Sequence, residues 1–180
     1  EGDGGGDQSN IVFVGRVGVR KGVPWLLRAM KRRGSQDRLN LVGPVENGFQ
    51  RFLECETSDA VNIQGQVAGE TLPAVYARAG IFCLPSLEEG MPLTLLQAMA
   101  TGLAVVVTAA ASGGIVEQSG AGIVVPPGDA DAIAAALDRL TGDAELAREM
   151  GQAGRRAVQT GNRWQDYADR AIDAYRKLLL

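Results

Sequence analysis

Six short apolar runs, each followed by a polar turn and a helix-period segment, limit this chain to one fold class. The runs cover residues 11–14, 39–42, 61–63, 81–84, 104–107 and 122–125. Most are continuous rather than alternating, the pattern of strands buried on both faces. Between them the period becomes helical, over 24–33, 49–55, 70–79 and 92–101, then briefly to 117, and after the last run over 129–140, 143–158 and 162–179. Strands alternating with helices predict a Rossmann-like α/β fold, with a doubly wound, mainly parallel six-stranded sheet in three α/β/α layers. Right-handed crossovers then bring the loops after Val14, Leu84 and Val107 to one edge. Open α/β sheets bind their ligands at that edge.

The ends of the helical segments agree with helix polarity. Pro24 opens the first, and Lys31, Arg32, Arg33 and Gly34 close it. Asp129, Asp143 and Asn162 stand where caps are needed. Leu72, Val75, Tyr76 and Ala79 share one face of the segment 70–79. The stretch 1–9, EGDGGGDQS, has nothing to bury and reads as a disordered leader or linker, leaving 10–180 as the domain. The last helix, about 162–179, carries an apolar stripe of Trp164, Tyr167, Ala168, Ala171, Ile172, Tyr175 and Leu178, which reads as a packing face.

Composition narrows the chemistry. The 180 residues contain no His, which removes His-based triads, His-ligated metals and a His general base. Two cysteines, Cys55 and Cys83, make neither a disulfide framework nor a metal spacing, and Cys83 lies inside an apolar run. A net charge of −3 gives no general field for nucleic acid, so an anion must be held by local groups. No apolar run is long enough to span a bilayer and no signal peptide is seen, which predicts a cytoplasmic location.

Three places carry groups suited to chemistry. The loop Gly15-Arg16-Val17-Gly18-Val19-Arg20-Lys21-Gly22 offers a guanidinium that can fork onto phosphate and an ammonium beside it. The alternative is a solvated basic loop, and neither a dinucleotide fingerprint nor a P-loop is present. The stretch from Pro85 to Gly102 places Glu88 and Glu89 before Gly90, Met91 and Pro92, where free N–H groups of a helix start can meet a phosphate. A carboxylate there repels an anion unless it accepts hydrogens from hydroxyls, as of a sugar. Gln97 lies on a polar stripe with Thr94 and Thr101 and can reach ribose hydroxyls. Alternatively, the two glutamates serve the helix dipole and Gln97 is a surface residue. The third place is Ser112-Gly113-Gly114 with Glu117, which on its own reads as a surface loop.

Taken together, these segments resemble a known family. Phe13-Val14-Gly15-Arg16 with Arg20-Lys21-Gly22, Gly65-Gln66-Val67, Leu84 to Pro92 with Gln97 to Gly102, Gly113 to Glu117 and Val124 to Asp129 follow in its order and spacing. They are similar to the C-terminal, nucleotide-sugar-binding domain of a GT-B glycosyltransferase of family 4 (group 1). The resemblance implies retaining transfer from an NDP-sugar to an acceptor, with no cofactor and no metal required. It implies that Arg16 and Lys21 neutralise the diphosphate as it leaves and that Glu89 holds donor-sugar hydroxyls. The Gly90 and Met91 N–H groups would lie near the phosphates and the turn from Gly65 to Val67 near the base, Gln97 would hold the ribose, and Gly15 and Pro92 would belong to the donor-binding set. Glu117 matches a less sharply defined donor-binding position.

Two departures stand out. The family's second motif Glu is Gln97 here, which replaces a charged acceptor by a neutral one, a loss near tenfold in affinity. Pro92 stands where many members have Gly. The resemblance also implies an N-terminal acceptor-binding domain or subunit outside this sequence. The final helix is then expected to be an interface to it, any membrane contact to run through that half, and this chain alone to be inactive. The rival reading is a non-catalytic partner domain that keeps the fold for association; a GT-B-like epimerase fits the motif order less well.

Overall fold

The computed structural model describes residues 6–34, 37–160, 168–169 and 172–176. The sheet consists of β1 (Asp7–Val14), β2 (Arg38–Val42), β3 (Val61–Gly65), β4 (Ala79–Leu84), β5 (Ala104–Thr108) and β6 (Gly122–Val125). Its order is β3-β2-β1-β4-β5-β6, and every neighbouring pair is parallel. The expected doubly wound sheet is therefore present, and its winding reverses between β1 and β4. β4 and β5 are buried along their whole length, as their continuous apolar sequences require. The edge strand β3 is largely exposed. It is tied to β2 by a ladder of side-chain amides, Asn62 Nδ2 to Asn40 Oδ1 at 2.8 Å and Asn40 Nδ2 to Gln64 Oε1 at 2.9 Å.

The helices are α1 (Val23–Arg33), α2 (Gln50–Glu56), α3 (Leu72–Ala77), α4 (Leu93–Ala100), α5 (Ala109–Ser112), α6 (Ile115–Ser119), α7 (Ala130–Gly142) and α8 (Ala144–Gln159). α1 packs on α7, while α4 and α6 pack on α8. Two of the expected caps form, while Asn162 lies outside the described residues: Asp129 accepts from the N–H groups of Asp131 and Ala132 at 3.0 and 2.9 Å, and Asp143 from Leu146 at 2.9 Å. Arg33, its side chain 1% exposed, holds α1 to α7 by donating to Asp138 at 2.6 Å and to Thr141 at 2.9 Å. Cys83 is buried in the core, where desolvation pushes its thiol up, while Cys55 is exposed.

Several boundaries differ from the sequence expectation. β1 reaches back to Asp7, so Asp7, Gln8 and Ser9 belong to the sheet rather than to a leader. Gly80 makes this possible: a Cβ there would stand 2.5 Å from the Gln8 Cα, so its lack of a side chain lets the two backbones meet. The segment expected as helix over 70–79 is a 3-10 turn, Gly69–Thr71, followed by the short α3. Ala79 is the first residue of β4, not the last of a helical face. Pro92 is the N-cap of α4 rather than its first helical residue. Ser112 ends α5, and Gly113 and Gly114, at φ +55° and +80°, turn the chain into α6. The final apolar stripe falls mostly outside the described residues. Of it, Ile172 and Tyr175 are 48% and 68% exposed. No helix among the described residues is long and apolar enough to cross a membrane.

Candidate functional site

The loops after β1 and β4 meet where the winding reverses, and glycine makes the contact possible. Gly22 has φ +75°, and a Cβ on it would lie 1.9 Å from the Pro85 carbonyl oxygen. Beside it, Leu87 N–H donates to the Arg20 carbonyl at 2.9 Å. The two loops thus meet backbone to backbone. The loops after β1, β2 and β3 are joined in the same way. Gly15 N–H donates to the Val42 carbonyl at 2.9 Å, and Gly43 N–H donates to the Gly65 carbonyl at 2.8 Å. Gly15 and Gly65, which the sequence assigns to opposite ends of the donor, therefore flank one continuous edge.

Lys21 and Glu89 are brought into direct contact across the β1/β4 junction. Lys21 Nζ donates to Glu89 Oε1, and the two side chains are only 16% and 7% exposed. The same oxygen accepts from Ser86 Oγ at 2.8 Å. Ser86 is fully buried, and its carbonyl accepts from the equally buried Thr108 Oγ1 at 2.5 Å. The orientation of Glu89 is thereby fixed from β5 through Ser86. Arg16 is exposed and has no hydrogen bond or ion pair with the described residues, so its five donors are free for an incoming anion. A cleft of about 540 Å³, lined by Val19, Arg20, Glu46, Leu87 and Glu88 among others, opens between the loops after β1, β2 and β4.

The remaining candidates lie around this junction. Gly90 and Met91 are exposed ahead of α4. The Met91 thioether lies over Gly113, where a Cβ would come within 3.2 Å of its methyl group. That contact ties the loop after β4 to the turn between α5 and α6. Pro92 is buried under α4, and its carbonyl accepts from Leu95 N–H at 3.0 Å. Val67 is half-buried against the core just beyond Gly65. Glu117 is held by Ser112, whose hydroxyl donates to its carboxylate and accepts from Gly114 N–H at 3.2 Å. This arrangement gives Glu117 a turn-fixing role. Gln97, exposed on α4, contacts the Tyr76 hydroxyl at 3.1 Å.

Three residues of this network have no site role in the sequence expectation: Ser86, Thr108 and Tyr76. Ser86 stands three residues before Glu89, the reach of a turn, which is a readable signal. Tyr76 counts in the sequence only as part of an apolar face, because periodicity carries no information about where its hydroxyl points.

Chemically, the loops after β1 and β4 carry the Lys21–Glu89 ion pair, the guanidiniums of Arg16 and Arg20, neither with a side-chain partner among the described residues, and the start of α4. An anion could reach Lys21 there only in place of the Glu89 carboxylate, which would then be free to accept hydroxyl hydrogens.

Residues 8–143 match the family model of the glycosyl transferases group 1. The chain is 35% identical over 182 residues to an MMP alpha-(1->4)-mannosyltransferase of Mycolicibacterium hassiacum, covering 96% of this chain and 44% of that protein. It is 32% identical over 187 residues to a GDP-mannose-dependent alpha-(1-6)-phosphatidylinositol monomannoside mannosyltransferase of Mycobacterium tuberculosis, covering 95% of this chain and 48% of that protein. Among solved structures, a sucrose-phosphate synthase from Thermosynechococcus elongatus superposes with a TM-score of 0.84 at 30% identity, over 94% of this chain and 45% of that one. The chain spans about half the length of the curated relatives it matches.

Proposed function

Because the chain belongs to the group 1 glycosyltransferases, we propose that it is the donor-binding half of a retaining enzyme, taking a glycosyl group from a nucleoside diphosphate sugar. The contact between Lys21 and Glu89, with Arg16 unpaired nearby, carries this reading. When the bond between the anomeric carbon and the diphosphate oxygen breaks, negative charge builds on the phosphates. Arg16 and Lys21 are the cations on the loop after β1 that stabilise it without a metal. Glu89, released from Lys21, accepts hydroxyl hydrogens of the sugar, with Ser86 holding one of its oxygens. The N–H groups at the start of α4 favour the same anion. Gly65 and Val67 take the base side and Gln97 the ribose.

The acceptor is held by a second domain or subunit. The relatives are about twice as long, and their names give mannosyl transfer and, for one, GDP-mannose as donor. The rival reading, a non-catalytic partner domain, is motivated by Gln97. The combination of Arg16, Lys21 and Glu89 on one edge weighs against it, since association alone needs none of the three.

Calorimetric titration with UDP, GDP and ADP tests the proposal. At least one is expected to bind saturably. Arg16→Ala is expected to weaken that diphosphate about tenfold or more, the loss of a charge-assisted bond, and the matching nucleoside little. Equal losses for both ligands would remove Arg16 from the phosphate site.

A further inference from the structure

Tyr76 is 2% exposed on α3, with its ring tilted against Phe82 at 6.3 Å between centroids. Its hydroxyl lies 3.3 Å from the Thr94 carbonyl and 3.1 Å from Gln97 Oε1. Both are acceptors, and a phenol has one proton to give. Turning the Gln97 amide end over removes the conflict, because its oxygen and nitrogen are alike in shape. Nε2 then donates to the Tyr76 oxygen, and the Tyr76 proton goes to the Thr94 carbonyl. Every polar atom at the buried end is satisfied, and Gln97 keeps Oε1 and one N–H for the exposed side of α4. Burial pushes the Tyr76 phenol above its usual range, so it stays a donor at working pH.

A glutamate at position 97 would take the Tyr76 proton, since a carboxylate only accepts, whereas the amide can donate to the hydroxyl and leave that proton to the Thr94 carbonyl. Tyr76 also comes from the helix that follows the Gly65–Val67 turn, so it joins the segment assigned to the base to the helix assigned to the ribose.

We propose that Tyr76 is a positioning residue that fixes the Gln97 amide toward the donor ribose, and that this pair does the work of the family's second glutamate. The inference rests on the donor-binding reading above. It predicts a specific signature: losing Tyr76's hydroxyl removes discrimination between a ribose and a sugar without the 2′ and 3′ hydroxyls, while leaving phosphate affinity intact.

The experiment compares UDP, GDP and ADP with their 2′,3′-dideoxy counterparts on wild type, Tyr76→Phe, Gln97→Leu and the double variant. The wild type is expected to prefer its ribonucleotide by about three- to tenfold, the range of one or two neutral hydrogen bonds. Tyr76→Phe and Gln97→Leu should each bring that ratio to within about twofold of unity, with dideoxy affinity unchanged. The double variant should lose no more than either. A ratio that depends on Gln97 but not on Tyr76 would overturn the inference; so would a ratio indifferent to both. Failure of all three diphosphates to bind would instead overturn the donor-binding reading. A readout on the wild type alone covers the case where Tyr76→Phe does not fold. The Gln97 side-chain amide should appear in a 15N–1H spectrum with one hydrogen protected from exchange; two freely exchanging hydrogens would contradict the proposal.

Discussion

Replacing Lys21 with methionine is expected to weaken nucleoside diphosphate binding by about ten- to a hundredfold, the loss of one charge-assisted hydrogen bond in a partly desolvated site. Glu89→Gln is expected to act in the opposite direction. In the ligand-free site Lys21 is held by Glu89, so a phosphate must displace a carboxylate that is only 7% exposed. Glutamine keeps the oxygen that accepts from Ser86 but gives up the charge that restrains Lys21. Affinity for the bare diphosphate should therefore hold or rise, by up to about tenfold, while the extra affinity contributed by the donor's sugar is lost. Parallel titrations with the diphosphate and its sugar conjugate read both effects. Two variants that lower diphosphate affinity alike would show that Lys21 and Glu89 do not compete for one place. Stability carries a second signature. Lys21→Met leaves the buried Glu89 carboxylate without a counter-charge and should lower unfolding free energy by about 1–3 kcal/mol. Adding Glu89→Gln to it should recover most of that loss, because neither charge then remains.

The other large effect is expected from Gly22→Ala. The new methyl group would lie 1.9 Å from the Pro85 carbonyl oxygen, which is backbone and has no rotamer to yield. The residue also has φ +75°, where an L side chain is itself strained. Left-handed strain and overpacking each contribute about 1–3 kcal/mol, so a loss of about 2–6 kcal/mol in denaturant unfolding is expected. Relief by moving the loop after β4 would carry Glu89 away from Lys21, so donor affinity should fall even in the folded fraction. Gly34→Ala is the control. It has φ +57° but nothing within 4 Å of its Cβ, so it should show the backbone strain without the steric part and leave the site untouched.

The sequence carries the sheet because parallel strands buried on both faces must be continuous apolar runs, and β4 and β5 are such runs. It carries Arg16, Lys21 and Glu89 as candidates because they stand in glycine-punctuated turns after strands, although a solvated loop or the helix dipole accounts for each of them singly. The ends of elements were less legible where packing decides them. Asp7–Ser9 look like leader until Gly80 allows β1 to continue beside β4. Ala79 looks helical until that same pairing takes it into the strand. The coupling within the site was not legible at all. That Lys21 and Glu89, 68 positions apart, share a bond depends on the sheet placing β1 beside β4. The buried hydroxyls of Ser86, Thr108 and Tyr76 are equally silent in a hydropathy pattern, yet they fix the orientation of Glu89 and engage Gln97.

Binding of a nucleoside diphosphate across the β1/β4 junction is tested by titrating the 15N-labelled chain with UDP, GDP and ADP while following backbone amides. At least one is expected to give saturable shifts, largest over residues 15–22 and 90–95, with α7 unaffected. Folded protein showing no saturable shift with any of the three, or shifts confined to other surfaces, would contradict it.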